Sequence, residues 1–166
     1  MTGFEAPRSV RPGRGFTLIE LSVALAVLAL LVSMAAPVVK LQAQRRQESE
    51  LRQALRDIRG ALDAWRQAVR EGRIRMPADA SGYPPSLEAL AEGVADASRP
   101  DGARLYFLRR VPRDPMADDA EASAARTWGL RSYASPPEVP APGADVFDVY
   151  SRSSRTGLNG VPYREW

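Results

Sequence analysis

From Phe16 to Val39 the chain is apolar, with Glu20 as its one charge. As a helix at about 1.5 Å per residue, this run reaches roughly 36 Å, enough to cross a hydrocarbon core of about 30 Å with some tilt. Beyond it the pattern changes. Leu51, Leu55, Ile58, Leu62, Trp65 and Val69 recur at spacings of four and three, which places them on one stripe of a helix. Arg45, Arg46, Glu48, Glu50, Arg52, Arg56, Asp57, Arg59, Asp63, Arg66, Arg70 and Glu71 are assigned to the other faces, and Gly72 is the expected stop. The stripe is short for a coiled coil, so it predicts a helix face packed on the chain's own domain. Pro37 lacks an N–H and crowds the preceding turn. Because helical patterning resumes beyond it, a kink is expected there. A helix from Phe16 to about Glu71 would be roughly 84 Å long.

The second half reads as short elements between turns. Tyr83-Pro84-Pro85-Ser86 leads to a short helix that Ser86 can cap, Leu87 and Leu90 can bury and Gly93 can end. The Arg104–Val111 stretch fits either a strand or a helical turn. Three strands are expected after it: Thr127–Ala134, Asp145–Ser151 and Val161–Trp166, with Pro162 confining the last to an edge. A stiff linker of Pro136, Pro137, Pro140, Pro142 and Gly143 separates the first two. The turn Leu158-Asn159-Gly160 precedes the third. The resulting fold class is α+β, with a long N-terminal helix packed on a small antiparallel sheet. The expected segments are 1–15, a basic leader; 16–39, a membrane or filament-core helix; 40–72, an amphipathic helix; and 73–166, an exported globular region.

Composition narrows the chemistry. The chain of 166 residues contains neither Cys nor His. Disulfides, thiol nucleophiles, the usual general base and most zinc sites are therefore excluded. The serines Ser151, Ser153 and Ser154 have no base beside them in sequence, and no catalytic residue is nominated. The net charge is +3. Arg104, Arg109, Arg110 and Arg113 are the best candidates for a nucleic-acid face, but arginines interspersed with acids read as solvated surface, so no nucleic-acid partner is expected.

Arg8, Arg11 and Arg14 precede the apolar run, which orients its N-terminus toward the cytoplasm. An ordinary signal peptide or a plain anchor would fit the run but leaves Glu20 unexplained. A carboxylate in an apolar span costs several kcal/mol and marks a functional position. Taken together, Arg14-Gly15-Phe16-Thr17-Leu18-Ile19-Glu20-Leu21 resembles the N-terminal signal of type IV pilins and type II secretion pseudopilins. The resemblance implies a cut by prepilin peptidase after Gly15, N-methylation of Phe16, an assembly role for Glu20 as fifth mature residue, and a helix kink at Pro37. Physically, cleavage exposes a positive amine on Phe16. In a filament, a buried Glu20 would meet that amine on a neighbouring subunit and favour one axial register. Small residues of the run, Ala24, Ala26, Ala29, Ser33, Ala35 and Ala36, permit close helix approach.

The segments 83–90, 106–115, 128–133 and 147–151, with Trp166, resemble the major pseudopilin of type II secretion. That resemblance implies a lollipop-shaped, non-enzymatic subunit of a short periplasmic fibre. Its partners would be copies of itself, prepilin peptidase, minor pseudopilins, and an inner-membrane assembly platform with its ATPase. It would sit in the bacterial inner membrane as a single-pass protein, N-terminus cytoplasmic and C-terminal domain periplasmic, and join the pseudopilus after assembly. A major or minor type IV pilin, including a DNA-uptake pilin, is the alternative, and a membrane-anchored exported protein of other function the second. The family often binds calcium in the loop after the second strand. Here that loop, 151–159, has two arginines and no carboxylate, which disfavours a cation that wants six to eight oxygen ligands. The nearest acidic candidates are Asp148, Asp118 and Asp119.

Overall fold

The computed structural model describes residues 17–166, and the side chains within that range except those of residues 32–38. Its first element, α1, is the helix Leu18–Arg70, and its backbone continues through Pro37. Two compact units meet inside this helix, the first ending at Gln42 and the second beginning at Ala43.

In the first unit the described apolar side chains have nothing to pack against. Leu18, Ile19, Leu21, Val23, Leu25, Val27, Leu28, Leu30 and Leu31 are all exposed, from 51% to 85%. Among the described residues no helix is long and apolar enough to cross a membrane. The expected span 16–39 begins at Phe16, and it includes the 32–38 side chains; both lie outside the description.

In the second unit the stripe becomes the core. Leu51, Leu55, Ile58, Leu62 and Trp65 are buried and Val69 partly so, with Ala54, Ala61 and Ala68 broadening the buried face. Each large side chain so buried contributes about 1.5–3 kcal/mol. The helix ends as its sequence predicts. Gly72 adopts φ 72°, Gly72 N–H donates to the Val69 carbonyl at 3.0 Å and Arg73 N–H to the Ala68 carbonyl at 2.9 Å. This paired arrangement satisfies carbonyls that the last turn would otherwise leave free.

The rest of the unit covers that stripe. Helix α2, Glu88–Glu92, buries Leu90, and Ser86 Oγ accepts the Ala89 N–H at 3.3 Å, as the sequence suggests. Strands β1, Val94–Ala95, and β2, Arg104–Leu105, pair antiparallel. The ambiguous 104–111 stretch is therefore a strand only at its start. After a 3-10 turn at Ala125–Thr127, strands β3, Trp128–Arg131, and β4, Asp148–Ser151, pair antiparallel with Leu130 opposite Val149. Both are shorter than their sequence patterns. Gly129 leaves room for the Tyr150 ring, which a Cβ there would approach to 2.3 Å and have to displace.

The third expected strand is absent from both sheets. Pro162 makes a single antiparallel bridge with Thr156, and Tyr163–Glu165 coils into a 3-10 turn. The physical reason lies in the two aromatics. Tyr163 turns inward to 1% exposure, and its ring meets that of Trp166 edge-on at 5.0 Å. The architecture is thus a long N-terminal helix with two small antiparallel sheets in the C-terminal part.

Candidate functional site

Thr17 opens α1. Its Oγ1 accepts the Glu20 N–H at 3.3 Å, and its carbonyl accepts the Leu21 N–H at 3.1 Å. This is an N-cap, and Thr17-Leu18-Ile19-Glu20 has the spacing of a capping box. A carboxylate in the first turn is also favoured by the helix dipole. Glu20 therefore has a local reason to be where it is, yet its side chain stands exposed among exposed leucines. Gly15 and Phe16 lie outside the described residues. Pro37 lies within the helix, with its side chain outside the description.

A second glutamate of the same helix behaves oppositely. Glu48, assigned from sequence to a polar face, is only 4% exposed. Its Oε1 accepts the Leu158 N–H at 2.8 Å, the Tyr163 hydroxyl at 3.0 Å and Gln44 Nε2 at 3.2 Å. Burial pushes the Tyr163 phenol up, so it stays protonated and donates. Gln44, Glu48 and Leu51 continue the four-three spacing of the stripe; that periodicity was the available signal.

Arg59, also expected on a polar face, ties the helix to the far end of the chain. Its Nε donates to Asp148 Oδ1 at 2.8 Å, and its Nη2 donates to the carbonyls of Val149 at 3.2 Å and Trp166 at 2.9 Å. The Arg52 guanidinium stacks 4.3 Å over the Trp166 ring. Of the four arginines considered for nucleic acid, two are occupied structurally. Arg104 Nη2 donates to the Gly93 carbonyl at 2.7 Å, and Arg113 holds the carbonyls of Ala122, at 2.6 Å, and Asp119.

The calcium candidates are not brought together for that purpose. Asp148 is engaged by Arg59. Asp119 Oδ1 accepts the N–H groups of Glu121 and Ala122 at 3.0 and 3.1 Å, forming a local turn. Asp118 lines a small hollow with Asp119, Arg126 and Arg152, where two guanidinium groups oppose a cation. Among the described residues, no three acidic side chains converge on a point. The donor set does not fit a calcium ion.

The prokaryotic N-terminal methylation motif matches residues 11–36, the segment that contains Gly15, Phe16 and Glu20. The type II secretion system core protein G of Klebsiella pneumoniae is 27% identical over 139 residues, covering 80% of this chain and 91% of that protein. Its counterpart from Klebsiella michiganensis is 25% identical over 136 residues, covering 80% and 88%. No solved structure matches. A signal at one end and similarity running across the globular unit point the same way: the chain carries the N-terminal methylation motif of prepilins and is homologous over most of its length to core protein G of type II secretion systems.

Proposed function

We propose that the chain is a pseudopilin, a structural subunit that polymerises into a short periplasmic fibre serving type II secretion. One observation carries this reading. The methylation motif over residues 11–36 coincides with a helix whose large apolar side chains, from Leu18 to Leu31, are all exposed. Such a surface is stable in lipid or against other helices of its kind, and nowhere else. The motif supports processing by prepilin peptidase between Gly15 and Phe16, followed by N-methylation of Phe16. The chain would wait in the inner membrane with its N-terminus cytoplasmic and its second unit periplasmic. Leaving lipid exposes the apolar helix, so extraction needs helix bundling and work from an assembly platform and its ATPase.

Glu20 supplies the register. In a stack of such helices its carboxylate is desolvated, and the Phe16 amine of a neighbouring copy is the compensating charge. Removing one partner of a buried pair costs about 3–5 kcal/mol, enough to select one axial offset over its neighbours. The role is structural and no catalytic step is assigned to it.

Intact and N-terminal mass spectrometry of the protein from native membranes tests the reading. A chain beginning at methylated Phe16 is expected. A start at Met1, or near Ala36 and Pro37, would remove the basis for the fibre.

A further inference from the structure

We infer that the loop from Ser151 to Tyr163 is a metal-independent clasp, held shut by the carboxylates of Glu48 and Asp114 from within the chain, and that it takes no calcium ion.

Three observations carry this. First, the carboxylates that grip the loop are buried, and each accepts hydrogen bonds from the loop on one oxygen. Asp114 is 1% exposed; its Oδ2 accepts the Ser151 hydroxyl at 2.7 Å and its Oδ1 accepts the Met116 N–H at 2.8 Å. Glu48 takes the Leu158 N–H and the Tyr163 hydroxyl on one oxygen. The two acids thus hold the start and the end of the same loop, from sequence distances of 37 residues for Asp114 to Ser151 and 115 for Glu48 to Tyr163.

Second, loop carbonyls that a hard cation would need as ligands are already accepting. The Gly157 carbonyl accepts the Gly160 N–H at 2.9 Å, that of Arg155 accepts the Tyr163 N–H at 3.1 Å, and that of Val161 accepts the Gly157 N–H at 2.9 Å. Third, the loop brings its own cation. The Arg155 guanidinium lies over it, 3.3 Å from Ser153 Oγ and 3.4 Å from the Met116 carbonyl. A fixed positive charge at that place repels a divalent ion. Gly157 completes the closure, because a Cβ there would lie 2.5 Å from the Trp166 ring.

The inference concerns the second unit alone and stands whether or not the chain forms a fibre. The test uses the full chain solubilised from membranes in detergent. Trypsin cleavage after Arg152 and Arg155, mapped by mass spectrometry, reports opening of the loop. Wild type is expected to be cut at the same rate in excess chelator and in millimolar calcium, with the same unfolding midpoint. Glu48→Gln is expected to be cut about tenfold faster, equivalent to about 1.4 kcal/mol of local stability, and equally in both conditions. Protection of the wild-type loop by calcium, or a midpoint raised several degrees by it, overturns the inference. So does a Glu48→Gln chain that is folded by near-ultraviolet circular dichroism and cut no faster than wild type. If Glu48→Gln does not fold, the wild-type comparison in chelator and calcium decides alone.

Discussion

Helix α1 contains two apolar stretches of different pattern and opposite fate. From Leu18 to Leu31 its leucines and valines face outward. From Leu51 to Trp65 its stripe is sealed by the second unit. The glutamates follow suit. Glu20 stands exposed in the first turn, whereas Glu48 is buried and hydrogen-bonded by three donors. The lesson is that an apolar run and an apolar stripe are different statements about partners. A stripe with polar flanks is answered by the chain itself. A run apolar on every side is left exposed by the described residues of the chain.

The contrast makes its largest demand on Glu20. In the proposed fibre, Glu20→Leu would leave the Phe16 amine of a neighbouring subunit without its counter-charge, at a cost of about 3–5 kcal/mol. Membrane yield and the unfolding midpoint of the second unit are expected to stay at wild-type values while fibre recovered by shearing or cross-linking falls to background. Normal fibre yield would remove the proposed pairing. In the other half of the helix, Leu62→Ala empties a site that is 1% exposed. A loss of about 2–5 kcal/mol is expected in a denaturant melt. The same truncation at Leu25, which is 59% exposed, is expected to move that melt by less than about 0.5 kcal/mol. Equal effects at the two positions would erase the distinction between them.

Gly129→Ala drives a Cβ into the Tyr150 ring and is expected to lower stability by about 1–3 kcal/mol. Adding Tyr150→Ala in that background opens the space, so the cost of Gly129→Ala should shrink there; an undiminished cost would place the strain elsewhere.

The smallest effect concerns Asp96, which fastens the β1–β2 hairpin to the end of α1. Its Oδ2 accepts Arg73 Nη2 at 2.8 Å and its Oδ1 accepts the Ser98 hydroxyl at 2.6 Å. The hydrogen bond from Arg73, with that from Ser98, holds the carboxyl down to about 2. An unfolded aspartate titrates near 3.9, or about two units higher. With the folded value depressed, the contribution is complete above pH of about 4 and is lost as the pH falls toward 2. Acid titration of the midpoint should show this slope in wild type and a shallower one in Asp96→Asn.

Much of the fold was legible. The stripe, the Gly72 stop, the Ser86 contact and the existence of strands β3 and β4 follow from spacings of a few residues, and local geometry realises them with little modification. Glu48 was misassigned because a charged residue reads as solvated unless its partners are known. Those partners, Leu158 and Tyr163, come from more than 100 residues away. Val161–Trp166 was misread for a related cause. Its aromatic and β-branched residues fit an edge strand, but Tyr163 gains more by burying its ring beside Trp166 and its hydroxyl on Glu48 than by extending an edge.

What the sequence determined by itself is whatever depends on neighbours a turn or two away. That includes the apolar run with its single carboxylate, the methylation motif that spans much of it, the helical stripe after it and the glycines that end elements. Periodicity and backbone freedom are local properties, and they survive without knowledge of the fold. Tertiary structure alone decided which polar groups enter the interior. Glu48, Asp114 and Ser151 look like ordinary surface residues in one dimension. Burying them is tolerable only where distant segments deliver hydrogen-bond partners, since an unpaired buried polar group costs about 1–3 kcal/mol. Those partners exist only once the loop 151–163 has folded back onto the helix.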